Sequence, residues 1–128
     1  MSIFNSLFGS SEASNTNSNI SWRVLTDLGQ LNEIINESVT TPVVIFKHST
    51  RCSVSRMALK QFENEFDLQS KVTPYFLDLL EHRDVSNEIA ELFQVMHQSP
   101  QLILIKNGVA IYNASHSDIA ADDLKRYL

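Results

Sequence analysis

The sequence holds one cysteine, Cys52, within the run Phe46-Lys47-His48-Ser49-Thr50-Arg51-Cys52-Ser53-Val54-Ser55. With a single thiol in 128 residues no intramolecular disulfide can form, so any disulfide chemistry involves a second molecule. The pattern reads as a strand ending, a polar turn from Lys47 to Arg51, and a helix that begins at the cysteine. Helix N-termini present unpaired backbone N–H groups and the positive end of the macrodipole, an environment that favours thiolate over thiol. Arg51 adjoins Cys52, Lys47 and His48 belong to the same short turn, and their charge acts in the same sense. A lone cysteine is otherwise a small buried hydrophobe. Here Arg51 and Ser53 flank it, outside the apolar face expected of Val54, Met57 and Ala58, where a core cysteine would belong.

Three residues further on is Ser55, which makes the motif Cys-x-x-Ser, the spacing of a dithiol redox site with the second thiol replaced by a hydroxyl. A dithiol site resolves its mixed disulfide internally, whereas a monothiol site waits for an outside thiol, normally a small one. Ser55 either hydrogen-bonds the thiolate or simply occupies the first helical turn. Ser99-Pro100 directly precedes a strand pattern; read alone it is a trans, strand-start proline, since only about 5–6% of X–Pro bonds are cis. His48, His82, His97 and His116 are scattered without ligand spacing and have one cysteine to join them, so no metal site is expected. Glu63, Glu65 and Asp67 read as the solvated side of the helix after Cys52.

The elements that must position these residues alternate at short intervals. Trp22 to Leu25 is a short extended run. Thr26 or Asp27 can cap a helix with Leu28, Leu31, Ile34 and Ile35 inward. Val43 to Phe46 reads as a central strand buried on both faces of a parallel sheet. The helix after Cys52 is followed by an extended stretch from Lys71 to Leu79, completing a right-handed crossover. A helix from about Arg83 to Val95 directs Val85, Ile89, Leu92 and Phe93 inward. Two strand patterns, Gln101 to Lys106 and Val109 to Asn113, flank Asn107-Gly108, a strong hairpin signal. Ser117-Asp118 opens a last helix through Ile119, Leu124 and Leu128. The order β-α-β-α-β-α-β-β-α is that of an α/β, thioredoxin-like domain, a central mixed β-sheet flanked by helices.

This domain spans residues 20–128. Residues 1–19 read as a flexible leader in which Ile3, Phe4, Leu7 and Phe8 form a short apolar stripe and Ser10 to Asn19 a tether. Net charge −5 and the lack of a basic stripe exclude nucleic acid as an expected partner. No apolar run approaches the ~20 residues of a membrane span, and no secretory signal is recognisable, so the expected location is cytoplasmic.

The run from Phe46 to Ser55, together with Met57-Ala58-Leu59, resembles the Lys-His-Ser-Thr-x-Cys-Pro-x-Ser signature of the bacillithiol-associated, YtxJ-type monothiol thioredoxin-like proteins, the monothiol bacilliredoxins. The likeness continues through Tyr75 to Leu79, His97 to Gln101 and Lys106 to Gly108, and the Ile3-Phe4 and Leu7-Phe8-Gly9 start is similar to leaders of that family. It implies that Cys52 attacks mixed disulfides and removes or transfers bacillithiol. It also implies that Pro100 is cis and faces the cysteine. Arg51, Ser53, Ser55, Ser99, Pro100, His48 and Thr50 are then the substrate-binding surface. No cofactor is expected to be bound; bacillithiol or a similar small thiol is the co-substrate, and the partners are S-thiolated proteins. Ser53 departs from the proline of the usual motif and leaves an extra N–H donor and a more mobile turn. The competing expectation is a thioredoxin-like module without turnover, which either binds partners through the Pro100 groove and the N-terminal stripe or senses redox state through S-thiolation of Cys52.

Overall fold

The computed structural model of the chain describes residues 20–128, so the expected leader lies outside the described residues. Five strands form one sheet in the order β1-β3-β2-β4-β5: β1 Arg23–Val24, β2 Val43–His48, β3 Thr73–Asp78, β4 Gln101–Lys106 and β5 Val109–Ser115. β3 runs parallel to β1 and β2, while β4 is antiparallel to both β2 and β5. The helices are α1 Gly29–Glu37, α2 Ser53–Glu65 and α3 Arg83–Phe93.

Side chains alternate across β2 and divide the core in two. Val43 and Ile45 pack with Leu31 and Ile34 of α1 and Val85, Ile89 and Phe93 of α3. Val44 and Phe46 pack on the other face with Phe62 of α2, Phe66 just beyond its end, Ile119 and Leu124. Trp22 caps this second core, stacked on Phe62 at 6.0 Å between ring centroids and edge-on to Phe46 at 6.1 Å. The arrangement is the expected thioredoxin-like one: a mixed sheet between helical layers, with β2 at its centre.

Several local expectations are met in detail. Asp27 accepts the Gln30 N–H while the Gln30 side chain accepts the Asp27 N–H, a reciprocal cap before α1. Asn107 and Gly108 both have positive φ, at 54° and 77°, as a two-residue hairpin turn with the twist of its strands requires. The Ser38 hydroxyl, beyond the end of α1, accepts the Gly108 N–H and pins that turn.

Other expectations need correction. β2 continues through Lys47 and His48, both buried, so the polar turn is only Ser49 to Arg51. The inward face of α2 is Ser55, Phe62 and Phe66, partly joined by Ala58 and Leu59; Val54 and Met57 point outward, with Met57 71% exposed. Leu28 and Leu92 are likewise exposed. After β5 no α-helix forms: a 3₁₀ turn at His116–Asp118 and a 3₁₀ stretch at Ala121–Tyr127 are separated by Ile119 and Ala120 in extended conformation. Burying Ile119 in that conformation, with Leu124 behind it, breaks the segment before an α-helix can propagate.

Candidate functional site

One end of the sheet gathers the loops that matter. β2 and β3 end there, in register at His48 and Asp78, and β4 begins there at Gln101, opposite Lys47 and Ser115. The turn before Cys52, the turn before α3 and the Ser99-Pro100 loop therefore lie side by side. Open α/β sheets bind ligands at the carboxyl ends of their strands, and this end follows that rule.

Cys52 is the N-cap of α2, in extended conformation (φ −110°, ψ 122°), with its thiol free and the residue half-buried. Its carbonyl accepts the Arg56 N–H at 3.1 Å, the first bond of the helix, and its own N–H donates to the Ser49 carbonyl at 3.2 Å. The Arg56 guanidinium reaches back to the Thr50 carbonyl at 3.1 Å and clamps the turn from the helix side. Thr50, Arg51 and Ser53 are exposed around the sulfur. The accessibility of Cys52 thus arises from its place at the helix start and not from lying opposite an inward face of Val54 and Met57, which themselves point outward.

Ser55 and His48 sit beneath this surface. Ser55 is fully buried; its hydroxyl accepts the Ser49 N–H at 3.0 Å and meets His48 Nδ1 at 2.8 Å. Burial pushes the His48 imidazole below its ordinary pKa, with Asp78 opposing and Arg56 reinforcing the shift, so the neutral ring that can share this proton is favoured. The bond ties the end of β2 to the first turn of α2, across the three-residue turn that precedes the cysteine.

On the opposite face of the sheet lies a polar group that pattern reasoning missed. Lys47 is 0% exposed, and its ammonium donates to the Ser86 carbonyl at 3.1 Å and meets His97 Nδ1 at 3.2 Å. Burial lowers its pKa from 10.5 to about 8. His97 is lowered too, by burial first and then by the positive charges of Lys47 and Arg83. Lys47 is therefore committed to α3 and to the segment leading into Pro100, and is not a free charge in the turn before Cys52. Gln101, also fully buried, stitches the same segment by accepting the Gln98 N–H and donating to the Met96 carbonyl. Alternation alone could have placed Lys47 on the inward face beside Val43 and Ile45.

The Ser99-Pro100 bond is cis, as the family resemblance implied and the bare dipeptide did not. Pro100 is buried, and its carbonyl accepts the His116 N–H at 3.1 Å. Ser99 is half-buried, with a hydroxyl that has no hydrogen-bond partner among the described residues. Two depressions flank the start of α2. An apolar one of about 290 Å³ lies between Val54, Met57 and Ala58 and the post-β5 residues His116 and Ile119. A polar one of about 370 Å³ is lined by Thr50, Arg51, Asp78, Leu80, Glu81 and Arg83. Among the described residues no group of three His, Cys, Asp or Glu side chains is placed to hold a metal ion, and no helix is long and apolar enough to cross a membrane.

Comparison with known proteins agrees with this geometry. Residues 23–124 match the family model described as monothiol bacilliredoxin BrxC. A solved protein described as an oxidoreductase with a thioredoxin fold is 33% identical, with 80% of this chain and 89% of that one covered and a TM-score of 0.70. Thioredoxin from Malassezia sympodialis is 20% identical over 86% of this chain and 90% of its own, with a TM-score of 0.66. Thioredoxin from Fasciola hepatica is also 20% identical, over 82% and 94%, with a TM-score of 0.62. At that identity the two thioredoxins share the fold alone. A single accessible cysteine capping α2, a buried serine in place of the second thiol, a cis-proline loop at the same sheet end and a family match over most of the chain lead to one assignment: the chain belongs to the monothiol bacilliredoxin family, thiol oxidoreductases on the thioredoxin fold.

Proposed function

We propose that Cys52 carries out monothiol exchange on proteins bearing bacillithiol or a closely similar small thiol. The Cys52 thiolate attacks the small-thiol sulfur of the mixed disulfide. A Cys52–small-thiol disulfide forms, the original S–S bond breaks, and its electron pair leaves on the protein thiolate. A second molecule of the small thiol, as thiolate, then attacks the Cys52 adduct; the symmetric small-thiol disulfide departs and the Cys52 thiolate returns. The observation that carries this reading is Ser55. With a fully buried, hydrogen-bonded hydroxyl where a dithiol site has its resolving sulfur, the adduct on Cys52 waits for a thiol from solution.

The exposure and burial of the surrounding residues support the following roles. Thr50, Arg51 and Ser53 form the exposed rim that meets the substrate, and Ser99 and Pro100 form the neighbouring wall. His48 and Ser55 act from below as positioning residues that hold the turn. Partners are S-thiolated proteins in a compartment that maintains a pool of reduced small thiol, the cytoplasm. The test is release of bacillithiol from a bacillithiolated model protein, compared between wild type and Cys52→Ala in the presence of free bacillithiol. Wild type releases it catalytically and the variant stays at the uncatalysed rate. Equal release by both would leave a binding or redox-sensing module.

A further inference from the structure

A mixed disulfide between a protein and a small thiol presents two different surfaces, polypeptide on one sulfur and a compact polar molecule on the other. The surroundings of Cys52 divide in the same way. The depression lined by Val54, Met57 and Ile119 is apolar, whereas the one between the ends of β2 and β3 is polar and carries two arginines.

We propose that this polar cleft is the subsite for the small-thiol half of the mixed disulfide, with Arg51 and Arg83 binding its carboxylate groups. The proposal rests on Cys52 being the nucleophile, as argued above. A thiol of the bacillithiol type carries carboxylates, an amine and sugar hydroxyls, and the cleft offers a complement to each. Its 370 Å³ falls within the roughly 300–1,000 Å³ of small-molecule sites. Among the described residues the ion pairs use Arg23, Lys125 and Arg126; neither Arg51 nor Arg83 is in one, although Asp78 and Glu81 line the same cleft. Asp78 is turned into its own loop, where one carboxylate oxygen accepts the Leu80 and Glu81 N–H groups. Neither guanidinium is within ion-pair distance of the Asp78 or Glu81 carboxylate that lines the cleft with it, so both remain able to take an anion, and a ligand carboxylate between them gains charge-assisted, bidentate hydrogen bonds. Glu81 remains to meet an amine. Arg83 is the first residue of α3, so the positive end of that helix adds to the field. Arg51 lines the cleft and directly precedes Cys52, one Cα step of about 3.8 Å, so the edge of the cleft borders the residue that carries the nucleophile.

The test uses one model protein in two forms, S-bacillithiolated and S-cysteaminylated, the second lacking any carboxylate, with the full chain as enzyme. The readout is the ratio of second-order rate constants for reduction of the two forms. Wild type favours the bacillithiolated form; Arg83→Gln and Arg51→Gln each lower the ratio about tenfold, and Arg83→Lys restores part of it. Raising the ionic strength lowers the wild-type ratio as well, because exposed charges are screened. An unchanged ratio, or equal loss on both forms, overturns the cleft assignment while leaving Cys52 catalysis standing. Failure of wild type to exceed Cys52→Ala on either form overturns both.

Discussion

Replacing Lys47 by methionine raises the stability of this protein at neutral pH, and the gain is lost as the solution becomes alkaline. Lys47 is wholly buried, bonded to the Ser86 carbonyl and to His97 Nδ1, with no carboxylate to neutralise it among the described residues. Its pKa falls from 10.5 when unfolded to about 8 when folded. The folded chain thus binds its proton more weakly, so between those two values the unfolded state carries more protons and stability rises with pH. Below about pH 8 the full cost applies: two and a half pH units at ~1.36 kcal/mol each, or about 3 kcal/mol. Methionine nearly conserves the volume and removes this cost, but forgoes two hydrogen bonds of about 1 kcal/mol each. Urea unfolding should therefore find Lys47→Met about 1 kcal/mol more stable than wild type at pH 7. At pH 10 most of the ionisation cost has gone from wild type, and the variant should be about 1 kcal/mol the less stable. Comparing the two proteins at each pH cancels the titration of the groups that Lys47 does not touch, and His97, its one titratable partner, is already neutral over this range. A difference that stays constant from pH 7 to pH 10 would refute the reasoning, because it would mean that Lys47 keeps an ordinary ammonium in the folded protein.

Three further substitutions test the turn before Cys52 and the hairpin at the other end of the sheet. Ser55→Ala leaves His48 Nδ1 and the Ser49 N–H without their shared partner. It should cost about 2 kcal/mol in urea unfolding, and wild-type stability in this variant would show that the hydroxyl does not hold the turn. Gly108→Ala adds a Cβ at φ +77°, 3.3 Å from Ile35 Cγ2. It should lower stability by about 1 kcal/mol or more, read as a reduced thermal midpoint, whereas Asn107→Gly, at a position that already has positive φ, should change it little.

Much of this architecture was legible because single residues announce it. The β-branched run Val43 to Phe46 suggested a strand covered on both faces, and Asn107-Gly108 signalled a tight hairpin; both are present. The site was harder to read, for physical reasons. Polarity suggested that Lys47 and His48 were turn residues, yet partners from other elements, the distant Ser86 and His97 for one and Ser55 across the next turn for the other, make their burial tolerable. The bond to His48 draws Ser55 inward, while Val54 and Met57 stay outside, opposite to what hydrophobicity alone suggests. The final segment has a helical apolar spacing, but Ile119 reaches the core from extended backbone and the helix never forms. Arg83 lies more than thirty residues from Cys52 in the sequence and joins Arg51 only because β2 and β3 end in register.

The central claim is that a small thiol passes through a covalent adduct on Cys52. Mass spectrometry of the protein, intact and after digestion without reductant, following reaction with a bacillithiolated substrate and an acid quench before any free bacillithiol is added, tests it directly. The account predicts wild-type chain carrying one bacillithiol on the peptide that contains Cys52, in amount equal to the substrate thiol released. Thiol release without an adduct on that peptide would contradict it.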